Sequence, residues 1–127
     1  MVETRVLSGR RVLVVEDELM ISMLVEDMLA DLGCDVVGPA HRLDDALDLA
    51  CSDAAIDAAV LDVNLGGRPV FEVADALRAK GVPAIFSTGY GDSCLRDVDR
   101  GAPVLQKPFR AGDLARALHA ALGVAQS

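Results

Sequence analysis

Short apolar runs alternate along this chain with stretches in which apolar residues recur every three or four positions. Arg11 opens Val12-Leu13-Val14-Val15, which stops at Glu16-Asp17-Glu18. Four consecutive apolar residues, mostly β-branched, predict a strand buried on both faces. Ile21, Leu24, Val25, Met28, Leu29 and Leu32 follow at helical spacing, and Gly33 supplies the stop. Residues 34–38 read as a second strand, and Leu43, Ala46, Leu47 and Ala50 as a second helical stripe. Residues 56–61 form the third strand, ending at Asp62. Gly66-Gly67 marks a flexible loop, and Pro69 fits the start of a helix carrying Val70, Val73, Ala74 and Leu77, ended by Gly81. Residues 83–87 form the fourth strand, closed by Thr88-Gly89-Tyr90-Gly91. A weaker helical pattern covers residues 92–99, and Val104-Leu105-Gln106 forms a short fifth strand closed by Lys107-Pro108. Leu114, Ala117, Leu118, Ala121 and Leu122 make a last amphipathic helix.

Five strand–helix alternations predict an α/β domain with a parallel sheet and helices on both faces. The pattern reads as one domain over residues 1–127, with its core at about 10–123, and no linker, repeat or low-complexity tract. In such sheets the ligand site lies outside the carboxyl ends of the strands. Those ends carry Glu16-Asp17-Glu18, Asp62, Thr88 and Lys107. Four of five predicted strands therefore deliver a polar or charged group to one edge.

Composition narrows the classes. Of 127 residues 52% are hydrophobic, which is enough for a core, but there is no Trp and only Tyr90, Phe71, Phe86 and Phe109 are aromatic. The net charge of −8 repels phosphate backbones and anionic lipid, so neither nucleic acid nor membrane is an expected partner. No apolar run reaches the ~20 residues that span a bilayer, and residues 1–10 lack the apolar core of a secretory signal. Cys34, Cys51 and Cys94 are few and widely spaced. Reduced thiols in a cytoplasmic protein are the expectation.

The chemistry at the sheet edge starts from repulsion. Two carboxylates ~4 Å apart repel by roughly 4 kcal/mol at an effective dielectric near 20, so one protonates or a cation enters. Hard oxygen ligands suit Mg²⁺, which keeps waters that substrate oxygens can replace. Singly, Glu16-Asp17-Glu18 is a solvated helix start, and Asp62 is a turn-initiating residue after a strand. Together they form an acidic site. Asp62, following Ala58-Ala59-Val60-Leu61, then reads as a nucleophile able to form an acyl phosphate. Lys107, before a Pro whose peptide bond is expected to be cis, points a cation into that edge, or is a surface Lys before a turn. Thr88 could donate its hydroxyl to a phosphoryl oxygen or merely form a turn. Asn64 could lend its backbone carbonyl to a metal, a role any residue type could fill. Gly66, Gly67, Gly89 and Gly91 would make two neighbouring loops mobile.

The stretches V-L-V-V-E-D-E (12–18), V-L-D-V-N-L (60–65), F-S-T-G-Y (86–90) and Q-K-P-F (106–109) resemble, in order and spacing, the receiver domains of two-component response regulators. The resemblance covers about residues 10–123. It implies a flavodoxin-like fold, Asp17 as a direct Mg²⁺ ligand, Glu16 acting through water, and Asn64 supplying its carbonyl. It also implies that Asp62 is phosphorylated by a histidine kinase or phosphotransfer protein, with Thr88 and Lys107 contacting the phosphoryl group. Downstream partners would read the face of predicted helix four, strand five and the last helix, where a homodimer could also form. Three departures follow from the same comparison. Val104 occupies a position that is often an aromatic switch, three before Lys107. Gly66 replaces a common Pro and is expected to loosen its loop. F-S-T-G-Y-G is similar to a subgroup with F-A-T-G-Y, often single-domain, in which Tyr90 would report the state or simply pack on the sheet edge.

His41 and His119 are expected to be exposed and inert, Cys34 and Cys51 to be small core or edge residues, and Cys94 to be unreactive. Arg96, Asp97, Asp99 and Arg100 read as a solvated face. The leading reading is a self-phosphorylating switch rather than a conventional enzyme. The alternatives are an aspartate-nucleophile phosphatase, which would carry its nucleophile on the first strand, and a phosphorylation-independent adaptor. A flavin carrier is disfavoured because no hydroxyl-rich loop follows strand one.

Overall fold

The computed structural model of the protein describes residues 7–89 and 95–123. Five parallel strands form one sheet: β1 (Arg11–Val15), β2 (Asp35–Ala40), β3 (Ala58–Asp62), β4 (Ala84–Thr88) and β5 (Val104–Gln106), in the order β2-β1-β3-β4-β5. This is the flavodoxin-like strand order, and it places β1 and β3 at the centre. Helices α1 (Leu19–Asp31), α2 (Leu43–Cys51), α3 (Phe71–Ala79) and α4 (Ala111–Leu122) cover the two faces.

Period-two alternation divides the core. On β1, Leu13 and Val15 join Leu61, Phe86 and the inner faces of α2 and α3. Val12 and Val14 join Val60, Ile85 and the inner faces of α1 and α4. Because both sheet faces are covered, β3 is buried at all five positions. Each aliphatic side chain so buried contributes roughly 1.5–3 kcal/mol. Leu7 is fully buried in the second of these layers and accepts the Cys34 thiol at its carbonyl, 3.4 Å away. The core thus begins earlier than residue 10.

Several expectations change. β2 starts one residue late and runs on to Ala40, because its pairing with β1 slips between Leu13 and Val15. Gly38 sits at that irregularity with φ +90, and a Cβ there would lie 2.9 Å from the Ala40 nitrogen. β3 and β4 each extend to include Asp62 and Thr88. Gly66-Gly67 forms a two-residue turn: Asn64–Leu65 pairs antiparallel with Arg68–Pro69, and the two glycines between them have φ +56 and +90. Two positive φ values are what a type I′ hairpin turn demands. Pro69 belongs to this ribbon, so α3 begins at Phe71. Of predicted helix four, the described part is a 3₁₀ turn, Asp97–Asp99; residues 90–94, with Tyr90, Gly91 and Cys94, lie outside the described residues.

Burial also departs from pattern in places. Leu24 is 55% exposed and shares an outward face with Leu19, Met20 and Met23, whereas Ser22, Val25 and Leu29 face inward. His119 is buried, 2% exposed, with neither ring nitrogen hydrogen-bonded among the described residues. Its helix packs against β3, β4, β5 and α1 together, so its buried arc is wider than the apolar stripe. Asp99 is buried too, tied to Arg78 and Arg96 by ion pairs that replace its water. No described helix is long and apolar enough to cross a membrane.

Candidate functional site

Four strand ends build the site. Asp62 is the last residue of β3, and the apolar run before it holds its carboxyl in the sheet, 6% exposed. Glu16 follows β1; its N–H donates to the Ala40 carbonyl (3.0 Å), which prolongs the ladder and leaves the residue 3% exposed. Lys107 follows β5, and its N–H donates to the Thr88 carbonyl at 2.9 Å. Thr88 ends β4 and is buried beside the same cavity. That cavity is about 530 Å³ and is lined by Asp17, Asp62, Asn64, Thr88 and Lys107, among others.

The Lys107 ammonium lies 2.8 Å from Glu16 Oε1 and 3.3 Å from Asp62 Oδ2. The other Glu16 oxygen, Oε2, accepts the Glu18 N–H at 3.2 Å. Asp62 Oδ1 accepts the Asn64 N–H at 3.2 Å, and Asp17 Oδ2 accepts the Gly66 N–H at 2.9 Å. One carboxylate oxygen from each of Glu16, Asp17 and Asp62 lies within 4.8 Å of the others. This is a hard-oxygen donor set of the kind Mg²⁺ takes, and the three acids could hold one ion between them.

The charges explain why an ion would be welcome. Burial, then hydrogen bonding and repulsion from Glu16, push the Asp62 carboxyl up to about 7. Burial alone would raise Asp17 as well, but hydrogen bonds from Asp62 and the Gly66 N–H outweigh it and hold Asp17 below its usual 3.8. Burial would lower the Lys107 ammonium, yet Glu16 and Asp62 outweigh that and raise it. Three carboxyls against one ammonium leave surplus negative charge, which a proton on Asp62 relieves. A divalent cation would relieve it further.

The structure therefore brings Glu16, Asp17, Asp62, Asn64, Thr88 and Lys107 together, and the Lys107-Pro108 bond is cis as expected. Asn64 proves to have an identity-dependent role, since its Oδ1 accepts the Gly67 N–H at 2.8 Å and closes the ribbon turn. Val104 does not join the site. It sits half-buried on the edge strand β5, paired with Phe86. Tyr90 is outside the described residues. Two participants escaped sequence reasoning. The Gly66 amide carries no side-chain signal. His41, taken as inert, places Nδ1 2.9 Å from the Glu16 carbonyl oxygen; its position just after β2 was the available clue.

The family model of the response regulator receiver domain matches residues 12–119. The chain belongs to this family. Among solved structures, the receiver is similar to SdrG from Sphingomonas melonis Fr1, at 44% identity with a TM-score of 0.80, over 91% of this chain and 98% of that one. It is similar at 28% identity and a TM-score of 0.75 to the receiver domain of the sensor histidine kinase PA1611 from Pseudomonas aeruginosa PAO1, over 91% of this chain and 99% of that one. That PA1611 domain was solved with a magnesium ion coordinated in its active-site cleft. The transcriptional regulatory protein PdtaR of Mycobacterium tuberculosis is 33% identical over 117 residues, 89% of this chain and 57% of PdtaR. The receiver spans about half the length of the curated relatives it matches.

Proposed function

We propose that this receiver accepts a phosphoryl group on Asp62 from a histidine kinase or phosphotransfer protein, in a reaction that requires Mg²⁺. The observation that carries the reading is the position of Asp62: a buried strand-end carboxyl with Lys107 at 3.3 Å and two further acids within one ion's reach. Bound between Glu16, Asp17 and Asp62, with Asn64 beside them, Mg²⁺ would offset the charge that builds on the transferred group. An Asp62 carboxylate oxygen attacks phosphorus and forms a P–O bond, while the donor's P–N bond breaks and its imidazole keeps the electron pair. Lys107 then moves its attraction from the Asp62 carboxylate to the new phosphoryl oxygens, and the Thr88 hydroxyl donates to them. Glu16 holds Lys107 at the correct depth throughout.

The exposed face of α1 supports a protein donor. Leu19, Met20, Met23 and Leu24 form one apolar patch starting next to Glu18 at the cavity rim. A contiguous apolar patch is an interaction surface more often than an accident, and a phosphodonor reaching Asp62 would pass over this one. The product of the reaction is the phosphorylated receiver itself. It is therefore read as a self-phosphorylating and self-dephosphorylating switch, acting on a downstream protein or drawing phosphate from its kinase, and not as an enzyme with a separate substrate. The free thiols of Cys34 and Cys51 agree with a cytoplasmic setting.

The test is intact mass after incubation with Mg²⁺ and a small phosphodonor. A gain of one base-labile phosphoryl group, lost in Asp62→Asn, is the expected result. The absence of any adduct, together with no Mg²⁺ binding, would sink the proposal.

A further inference from the structure

Asp17 is the exposed member of the acidic trio, so its carboxylate has no packing to orient it. Beside its hydrogen bonding with the Asp62 and Glu16 side chains, it accepts from one backbone donor 49 residues away, the Gly66 N–H, at 2.9 Å from Oδ2. That amide is itself held fast. Gly66 and Gly67 form a two-residue turn with φ +56 and +90, and the Gly67 N–H is taken by Asn64 Oδ1 at 2.8 Å. Below the turn, Leu65 is buried in the core, and the Val70 N–H closes the ribbon onto the Val63 carbonyl at 3.0 Å. The ribbon thus carries one N–H to the carboxylate of another loop.

We infer that the Gly66 amide is a positioning group for the cation: it fixes the Asp17 carboxylate by its Oδ2 oxygen and thereby sets the Mg²⁺ affinity of the site. This rests on the reading of Asp17 as a cation ligand. A carboxylate has about four acceptor directions over two oxygens, so donation to Oδ2 leaves a ligand position open. Hydrogen bonds from outside the ligand set orient metal-binding carboxylates, and their loss typically lowers metal affinity 10–100-fold. The position also explains the residue. Proline, often found here in receivers that this chain resembles, has no N–H and has φ fixed near −65°, so it could neither donate nor enter this turn. Gly66 thus exchanges a ring constraint for a donor. Space for a side chain is not the issue, because a Cβ on Gly66 would meet only Asp17 Oδ2, at 4.0 Å.

The experiment uses the ¹⁵N-labelled full chain and Mg²⁺ itself as the probe. Gly66→Asn keeps the N–H and tolerates positive φ; Gly66→Pro removes the donor. Amide-resonance titrations should show about a 10–100-fold weaker Mg²⁺ affinity for Gly66→Pro and less than a tenfold loss for Gly66→Asn. Equal affinity of Gly66→Pro and wild type, or equal losses in both variants, overturns the inference. If Gly66→Pro fails to fold, the metal-free wild type decides: its Gly66 amide resonance should move when Asp17 becomes Asn, and a Gly66 amide indifferent to Asp17→Asn refutes the bond. Wild type that binds no Mg²⁺ at all would instead refute the cation reading of the site, and the metal-free Asp17→Asn comparison keeps the two failures apart.

Discussion

The Lys107 ammonium lies 3.3 Å from Asp62 Oδ2, joining the end of an edge strand to the end of a central one. Removing one partner of a buried pair leaves the other without compensation. Lys107→Met should destabilise the metal-free protein by about 1–2 kcal/mol, less than a fully buried pair because Asp62 can take up a proton. It should also slow phosphoryl transfer at least tenfold, a loss of about 1.4 kcal/mol of transition-state stabilisation. Urea unfolding of Lys107→Met in wild-type and Asp62→Asn backgrounds measures the first effect. The destabilisation should shrink when Asp62 is already neutral.

Asp62 makes stability depend on pH in a defined direction. Its carboxyl is held near 7 in the folded protein against 3.8 when unperturbed, so the fold keeps a proton the unfolded chain has lost. That contribution is complete below pH 3.8 and disappears as pH rises through about 7. Asp17 is shifted the other way, so its contribution is lost only as pH falls below 3.8, outside this window. In metal-free buffer, wild type should therefore lose roughly 1–4 kcal/mol relative to Asp62→Asn between pH 4 and 7. Denaturation of both proteins at several pH values reads the difference, and a wild type that gains on Asp62→Asn over this range would contradict it.

Mg²⁺ should reverse that loss at neutral pH. A ligand at 100 times its dissociation constant stabilises by about 2.7 kcal/mol if it does not bind the unfolded chain. Thermal melts with Mg²⁺ and with chelator should separate by several degrees, and Asp17→Asn should bring the two curves together.

Asp99 anchors the segment that leads from the site to β5. Its side chain is fully buried and pairs with Arg78 of α3 and with Arg96 Nε at 2.7 Å, while Arg96 also reaches Asp75 (2.8 Å) and lies over the Phe71 ring. Asp99→Ala leaves Arg78 and Arg96 with only Asp75 as a shared acceptor and should cost about 1–2 kcal/mol, with Asp99→Asn near half of that. Equilibrium urea unfolding checks both.

Ser87 carries a buried hydroxyl with no hydrogen-bond partner among the described residues, one strand over from Asp62 in register. An unsatisfied buried group costs about 1–3 kcal/mol. Ser87→Ala should accordingly stabilise the unphosphorylated protein by about 1 kcal/mol, measured by the same unfolding curves.

The strands, the faces that α2 and α3 bury and the polar strand ends were legible in the linear pattern, because each follows from period-two or period-3.6 spacing and from what a sheet buried on both faces excludes; α1 instead turns Leu24 outward and Ser22 inward. Asp62 stands out in sequence because a carboxylate ends an otherwise apolar run, and Lys107 because it precedes a proline at a strand end. Neither spacing nor residue type says which groups will meet across the sheet. His119 and Asp99 looked like surface residues because burial of a polar group depends on how deeply a helix sinks or where two arginines converge. The Gly66–Asp17 bond was invisible for a plainer reason: a backbone N–H is common to nearly every residue, and only the I′ turn and the neighbouring loop aim this one. Local patterning thus determined the fold and nominated the acids, the hydroxyl and the lysine, whereas distance, burial and the upward shift of the Asp62 carboxyl arose only when strand ends far apart in the chain were packed into one low-dielectric edge.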